Sequence, residues 1–146
     1  MITRILVPVD GSRFARHAVE AAGDIATKYG APVFLLHVIR DLSLPKEILD
    51  MITAGEVTAS RQEILEDSAR IILEDAAELL DGASIPSVTC DHLFGDPATK
   101  IVEYAGRNGV DLIVMGHRGL APGGELLGSI SRKVLSLTEI ACLIIT

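Results

Sequence analysis

Short apolar runs alternate along the chain with longer segments in which apolar residues recur with the period of a helix. The short runs predict β-strands, and the most apolar of them are Ile5–Val9, Val33–Ile39, Leu112–Met115 and Ile140–Ile145. Near-continuous apolar runs of this kind favour strands that are covered on both faces, as in a parallel sheet. The segment Ile85–Leu93 is more polar and has Pro86 near its start, which predicts an edge strand.

Apolar stripes with helical spacing fill most of the chain between these strands. They predict four helices, whose stripes run from Ala15 to Tyr29, from Leu65 to Leu79, from Ala98 to Ala105 and from Ile130 to Leu137. Ser12 is the expected N-cap of the first helix and Gly30 its C-terminal stop, and Asp96 is the expected N-cap of the third. Residues 41–60 follow no such stripe, and we interpret them as a mobile insertion with a helical turn around Lys46–Thr53.

The order of these elements predicts an α/β fold. We expect one domain over residues 1–146, with a single doubly wound, five-stranded parallel sheet of order 3-2-1-4-5 and helices on both faces. In such a sheet, ligands bind at the carboxyl ends of strands 1 and 4, where the strand order reverses. In this sequence those two strand ends, around Asp10-Gly11-Ser12 and Gly116-His117-Arg118-Gly119, are also the richest in glycine and polar residues.

The segment after strand 4 has the composition of a phosphate-binding loop. Five glycines lie between positions 116 and 128, and Gly128-Ser129 opens the last helix. Glycines let backbone amides approach a phosphate, and a helix N-terminus attracts anions. No lysine precedes Ser129, which excludes a P-loop NTPase, and the chain has no G-x-G-x-x-G sequence to support a nicotinamide-dependent dehydrogenase.

Composition and charge narrow the possible partners. The net charge of −7 argues against binding to nucleic acid or to an anionic membrane surface. We expect no membrane partner, since no stretch approaches the ~20 apolar residues of a transmembrane helix, and the N-terminus does not have the pattern of a signal peptide. Cys90 and Cys142 form neither a disulfide framework nor a metal-binding spacing, and we expect a cytoplasmic protein.

The chain resembles the universal stress protein family along nearly its whole length. Four segments carry the resemblance: Ile5-Leu-Val-Pro-Val-Asp-Gly-Ser12, Leu36-His-Val38, Gly95-Asp-Pro97, and Asp111-Leu-Ile-Val-Met-Gly-His-Arg-Gly119 followed by Gly128-Ser129. The ATP-binding branch of that family has the pattern G-x2-G-x9-G-[S/T]. Here eight residues, 120–127, separate the second and third glycines of the pattern, which is one fewer, and His117 stands where members often have Ser or Thr.

This resemblance implies a Rossmann-like fold of the adenine nucleotide alpha hydrolase type and a site for ATP, or for AMP or ADP. With ATP, it also implies Mg²⁺ or Mn²⁺ bridging the phosphates. The residues implied to bind the nucleotide are Pro8, Val9, Asp10, Val38, Met115, Gly116, His117, Arg118, Gly119, Gly128, Ser129, Ile130 and Ser131.

The implied roles follow the order of these residues. The first five surround the adenine, with Asp10 accepting hydrogen bonds from it or lying close to it and Val38 contacting the base through its backbone. Gly116 contacts the ribose, and the residues from Gly119 onward hold the phosphates through amides and hydroxyls. For His117 the alternative is a solvent-exposed loop histidine.

Several residues near the predicted site also have a purely structural interpretation. Asp10 stands where it can cap the first helix, and Ser129 where it can cap the last. His37 lies inside an apolar strand, where a hydrogen-bonded core histidine is more common than a ligand. Arg132 and Lys133 can simply reach solvent.

The sequence leaves three function classes open. The first is a nucleotide-binding regulatory module of the stress response, which hydrolyses ATP slowly or not at all and acts through its dimer or an unknown protein partner. The second is a weak ATPase or phosphotransferase that uses Asp10, His117 or Arg118. The third is a nucleotide-free stress protein that works only through protein contacts. Because Ile140–Ile145 is an apolar last strand, and because the family commonly dimerises by this strand, we expect a homodimer through it.

Overall fold

The computed structural model describes residues 1–40, 46–55, 61–120 and 124–146. Strands and helices alternate along almost the whole chain. Their bounds are β1 Ile5–Pro8, α1 Arg13–Tyr29, β2 Val33–Ile39, α2 Lys46–Thr53, α3 Arg61–Glu78, β3 Val88–Phe94, α4 Pro97–Arg107, β4 Leu112–Gly116, α5 Ser129–Leu137 and β5 Ala141–Ile145.

The five strands form a parallel sheet of order β3-β2-β1-β4-β5, which confirms the predicted topology. Strand β1 pairs with β2 along its whole length, from Ile5 with Val33 to Pro8 with Leu36. It pairs with β4 only at its first two residues, Ile5 and Leu6. Strands β1 and β4 therefore separate towards their carboxyl ends, at the place where the strand order reverses.

Helices cover both faces of the sheet, as the apolar strands predict. Helices α1 and α3 pack on one face, against a cluster that includes Val7, Val33 and Val114. Helices α4 and α5 pack on the other face, against Leu6, Leu36 and other residues of the same strands. Neighbouring residues of a strand point to opposite faces, so β1, β2 and β4 must be apolar at almost every position.

The caps of two helices agree with the sequence. The Ser12 hydroxyl accepts a hydrogen bond from the Ala15 amide, and Gly30 ends α1 in the left-handed conformation at φ 64°. The Asp96 carboxylate likewise accepts from the Thr99 amide at the start of α4. Ser129 as an N-cap is wrong, because Gly128 is the N-cap of α5 and Ser129 is its first helical residue.

The two outer strands are less covered than the central three. The prediction that β3 is an edge strand is confirmed. Strand β5 is the opposite edge, so the expectation that its apolar run is covered on both faces is wrong: Ala141 and Leu143 are exposed. Cys90 lies in β3 and Cys142 in β5, so four strand spacings of about 4.8 Å keep their thiols too far apart for a disulfide.

The predicted helical turn around Lys46–Thr53 is present as α2. The expectation of a mobile insertion concerns residues 41–45 and 56–60 as well, and these lie outside the described residues. Residues 121–123, in the loop that is shorter than the family pattern, also lie outside them.

Candidate ligand site at the carboxyl ends of β1 and β4

The divergence of β1 and β4 opens a crevice at the carboxyl edge of the sheet. The chain leaves β1 through Val9 and Asp10 towards α1, and it leaves β4 through His117 and Arg118 towards α5. Ligands of doubly wound sheets bind in a crevice of this kind, because the segments that follow the two strands turn away to opposite faces of the sheet. The two segments that the sequence predicts to bind a ligand, after β1 and after β4, therefore lie on the two sides of the crevice.

Gly116 lets the end of β4 approach the first turn of α1. A Cβ at this position would lie 2.8 Å from Cβ, 2.9 Å from the carbonyl carbon and 3.0 Å from the carbonyl oxygen of Phe14. Two of these three atoms belong to the backbone, so a side-chain rotation cannot relieve the overlap. The glycine is required here by the close packing of β4 on α1.

Gly119 brings the glycine loop, residues 116–128, next to the end of β1. A Cβ on Gly119 would overlap Oδ2 of Asp10. The other carboxylate oxygen, Oδ1, accepts a hydrogen bond of 2.9 Å from the Ser12 amide. Asp10 as the cap of α1 is wrong, because Ser12 is the N-cap, and Asp10 instead supports the turn before it and lies beside Gly119.

Hydrogen bonds anchor the glycine loop at both ends. The amide of Gly128 donates to the carbonyl of His117 at 2.7 Å, and the amide of His117 donates to the carbonyl of Ile145 at 2.9 Å. The buried hydroxyl of Ser131 donates to the carbonyl of Gly116 at 2.9 Å. Ser131 therefore fixes α5 to the end of β4, and its hydroxyl is already engaged within the protein.

The solvent-exposed histidine expected at position 117 is wrong, since only 7% of His117 is exposed. Its Nδ1 donates to the carbonyl of Ile145 at 3.2 Å, and its ring meets the ring of Phe14 edge-on, with 4.8 Å between centroids. These contacts make His117 a link between β4, β5 and α1. The burial also limits the access of solvent to the ring of His117.

The N-terminus of α5 differs from those of α1 and α4. The N-cap of α5, Gly128, supplies no side-chain acceptor, whereas Ser12 and Asp96 do so for the other two helices. The first amides of a helix have no acceptor within the helix and need one from elsewhere. Ser129 is exposed and Ile130 half-buried, so the first turn of α5 can offer amides to an anion.

Four cationic side chains surround this end of the sheet. Arg132 forms ion pairs with Glu125, and Lys133 with Asp96 at 3.0 Å. Hydrogen bonds from Thr99 and then from Lys133 lower the pKa of Asp96 to about 2. The guanidinium carbons of Arg13 and Arg118 lie over the ring of Phe14, at 4.9 and 5.4 Å from its centroid.

The residues predicted to contact adenine lie at the other end of the crevice. Pro8 ends β1, and Val9 continues its pairing by donating from its amide to the carbonyl of Leu36 at 2.8 Å. His37 is hydrogen-bonded as predicted, since its Nδ1 donates to the carbonyl of Val9 at 2.7 Å, but it is half-buried and not part of the core. Val38 follows in β2 and packs, like Met115, on the α4 and α5 side of the sheet.

Sequence reasoning missed Arg13 and Phe14, although the structure brings them to the predicted residues. Phe14 is one of only three phenylalanines in the chain and lies two residues after Ser12. An aromatic residue next to a polar strand end is a signal that could have identified it.

Two surface cavities lie away from this crevice, on the β3 side of the molecule. One of about 500 Å³ lies between the start of α3 and the end of β3. The other, of about 320 Å³, lies beside Asp91, Tyr104 and Arg107. The Tyr104 hydroxyl donates a short hydrogen bond to Asp91, and burial, followed by this carboxylate, raises the pKa of Tyr104.

Within the described ranges, no three His, Cys, Asp or Glu side chains lie close enough together to hold a metal ion. Among the helices described, none combines the length and the apolar character that crossing a membrane requires.

Comparison with known proteins identifies the family. The model of the universal stress protein family matches residues 1–146. The chain belongs to the universal stress protein family. A relative, universal stress protein YxiE of Bacillus subtilis, is 32% identical over 149 aligned positions, which cover 99% of each chain.

Solved structures of this family have the same fold. The structure of MJ0577 from Methanocaldococcus jannaschii is 27% identical, with a TM-score of 0.80 over 99% of this chain and 96% of that one. The universal stress protein from Archaeoglobus fulgidus in complex with dAMP is 23% identical, with a TM-score of 0.69 over 100% of both chains. At 23% identity, the similarity to the Archaeoglobus fulgidus protein shows a shared fold alone.

Proposed function

We propose that this universal stress protein binds an adenine nucleotide, with ATP as the principal ligand, in the crevice between β1 and β4 and acts as a regulatory module of the stress response. The observation that carries the proposal is the glycine loop. Its glycines allow close contact with Phe14 and Asp10, and it leads into a helix whose first amides have no side-chain cap. The dAMP complex of the Archaeoglobus fulgidus relative supports adenine nucleotides as the ligand class.

In this proposal, the crevice supplies three kinds of contact. Pro8 and the backbone near Val9 and Val38 lie beside the base, while the side chains of Val9 and Met115 are buried on opposite faces of the sheet beneath it. Asp10 takes the position next to the base or the ribose. The amides of Ser129 and Ile130 hold the phosphates at the positive end of α5.

The fit of a triphosphate rests on the donors present. The helix N-terminus and the guanidinium of Arg118 are suited to an anion. Mg²⁺ or Mn²⁺ bridging the phosphates would neutralise part of their charge. In this proposal the phosphates themselves hold the metal ion, and Asp10 stays beside the base or the ribose.

Slow or absent hydrolysis is part of the proposal. Only 7% of His117 is exposed, so water beside a bound nucleotide has little access to its ring. A base for water must lie within hydrogen-bonding reach of the attacking atom. The burial of His117 therefore favours a protein that holds ATP over one that turns it over.

A substitution at the first position of α5 tests the site directly. Ser129→Pro removes the amide at a helical position that tolerates proline, and Gly128, at φ −71° and ψ 168°, already has the extended conformation that a residue before proline prefers. Asp96-Pro97 sets the same precedent at the start of α4. Loss of one hydrogen bond to a charged phosphate costs about 1.5–3 kcal/mol, or roughly 10- to 100-fold in affinity.

The matched control is Ser129→Ala, which removes the hydroxyl and keeps the amide. We expect Mg-ATP to raise the melting temperature of the wild-type protein and of Ser129→Ala, and the rise to be lost or much smaller in Ser129→Pro. Mass spectrometry of small molecules released on denaturation identifies any nucleotide that copurifies. No released nucleotide and no thermal shift with ATP, ADP or AMP in the wild type would refute the proposal and favour a module that works through protein contacts.

We also propose a homodimer through β5, in the cytoplasm. Strand β5 is an outer strand of the sheet, and Leu143 on it is 37% exposed. Apolar edge strands associate with other strands unless they are covered. Leu143→Glu should convert the dimer to a monomer in light scattering, while Val88→Glu, at a 38% exposed position on the opposite edge strand, should leave it dimeric. A monomeric wild type contradicts this part of the proposal.

A further inference from the structure

Two arginines share one aromatic ring at the edge of the candidate site. The guanidinium carbons of Arg13 and Arg118 lie 4.9 and 5.4 Å from the centroid of the Phe14 ring. The edge-on contact with His117 holds that ring in place, and Phe14 itself packs against Gly116. Both side chains therefore rest on a ring whose position is fixed by β4.

Arg118 lies close to the predicted phosphate position, and the shared ring brings Arg13 near it. Arg118 is part of the glycine loop, and its Cα would lie 3.3 Å from a Cβ on Gly128, the N-cap of α5. Arg13 is the first residue of α1, and its guanidinium reaches the ring that also carries Arg118.

The charges explain why an anion is favoured between them. The two guanidinium carbons are at most about 10 Å apart, because both lie within 5.4 Å of one ring centroid, so their positive potentials add near the ring and about 0.1 M salt screens them only in part. Arg132 pairs with Glu125 and Lys133 with Asp96. In the described part of the chain, Arg13 belongs to no ion pair, and the nearby Asp10 is bound to the Ser12 amide.

We propose that Arg13 and Arg118 together bind the terminal phosphates of a nucleoside polyphosphate, so that this protein selects ATP and ADP over AMP. The inference rests on the proposed nucleotide site and adds its selectivity. Arginine suits this role because its planar fork donates two parallel hydrogen bonds to phosphate while its face stays on the aromatic ring. Arg13 is then a specificity residue for the number of phosphates.

The test compares ATP, ADP, AMP and adenosine on the full chain by calorimetric titration, with and without Mg²⁺. Arg13→Gln removes the charge, and Arg16→Gln removes the same charge from an exposed position on the same helix. We expect Arg13→Gln to weaken ATP about three- to tenfold, ADP less, and AMP and adenosine not at all. Arg16→Gln should keep the wild-type ratio of ATP to AMP affinity.

Arg13→Lys gives a second comparison, because lysine keeps the charge but loses the planar fork. We expect an intermediate ATP affinity with the salt dependence of the wild type, whereas Arg13→Gln should show a smaller salt dependence. Equal ATP to AMP ratios in wild type and Arg13→Gln would overturn the selectivity and leave the nucleotide site standing. Equal losses of ATP affinity in Arg13→Gln and Arg16→Gln would show a general charge effect and would also overturn it.

Failure of the wild type to bind any of the four ligands would instead overturn the proposed function itself, and with it this inference. Conversion of Arg13→Gln from a dimer to a monomer in light scattering, with an unchanged affinity ratio, would assign Arg13 to an interface between two copies. The melting temperatures of the nucleotide-free variants control for folding, and we expect them to match the wild type because the position is exposed.

Discussion

Gly116→Ala gives the sharpest test of how β4 is held against α1. The added Cβ would lie 2.8–3.0 Å from three atoms of Phe14, and two of these are backbone atoms. Alanine therefore cannot be accommodated by a change of rotamer, and α1 or β4 must move by several tenths of an ångström. Overpacking of this kind typically costs about 1–3 kcal/mol.

The corresponding change in melting temperature follows from the size of the chain. An unfolding entropy of about 2.1 cal/mol/K per residue gives roughly 0.3 kcal/mol/K for 146 residues. Each kcal/mol then shifts the melting temperature by about 3 °C, so Gly116→Ala should lower it by about 3–10 °C. Urea unfolding followed by far-ultraviolet circular dichroism measures the same loss as a free energy, and it suits a chain that has no tryptophan.

Gly106→Ala is the matched control, since it makes the same chemical change without a contact. Gly106 lies in α4, and a Cβ there meets nothing within 4 Å. Alanine should stabilise the helix by about 0.4–1 kcal/mol and raise the melting temperature by about 1–3 °C. The two Gly→Ala variants should therefore differ in sign.

Phe14→Ala separates the backbone contact from the ring contact. Alanine keeps the Cβ and the carbonyl group that Gly116→Ala would strike, so Phe14→Ala should not rescue Gly116→Ala. A Gly116→Ala protein as stable as the wild type would refute the close packing of β4 on α1. Full rescue by Phe14→Ala would show that the ring, and not the backbone, sets the limit.

The remaining predictions concern hydrogen-bonded carboxylates and an aromatic hydroxyl. The pKa of Asp96 is lowered from 3.8 to about 2, and that of Asp111 is lowered as well, because hydrogen bonds from Thr3 and Arg4 outweigh the opposing effect of burial. Both carboxylates stabilise the fold above their unfolded pKa, so the free energy of urea unfolding should fall as the pH falls from about 4 to about 2. Asp111→Asn should reduce the slope of this free energy against pH, and an unchanged slope would contradict the assignment. Tyr104→Phe removes the donor to Asp91 and should cost about 1–3 kcal/mol in urea unfolding, whereas a loss below about 0.5 kcal/mol would show that this carboxylate is satisfied by water.

The local signals in the sequence predicted the elements well, because each depends on neighbouring residues. Ser12 and Asp96 begin their helices, and Gly30 ends α1, through contacts within a few positions along the chain. The position of β3 at the edge was predictable from its polarity. The edge position of β5 followed from the predicted strand order, although its composition is that of a central strand.

The candidate site was predictable as a set of segments and not as a set of contacts. Glycine and polar residues identify the two strand ends, but the burial of His117 depends on Ile145 and Phe14, which are distant in sequence. The engagement of the Ser131 hydroxyl with Gly116 likewise depends on how α5 folds back on β4. Arg13 joins the site only through the packing of Phe14 on β4.

The sequence alone therefore determined the α/β class, the strand order and the family, since these follow from periodicity, caps and motifs that are local in the chain. The tertiary structure decided which side chains are free to meet a ligand, because burial and hydrogen bonding between distant segments set that. At the carboxyl edge of the sheet, it buried a histidine that the sequence placed in a loop, and it placed Arg13 over the ring of Phe14, which packs on β4. The crevice itself depends on the tertiary structure, because β1 and β4 separate only once both strands lie in one sheet.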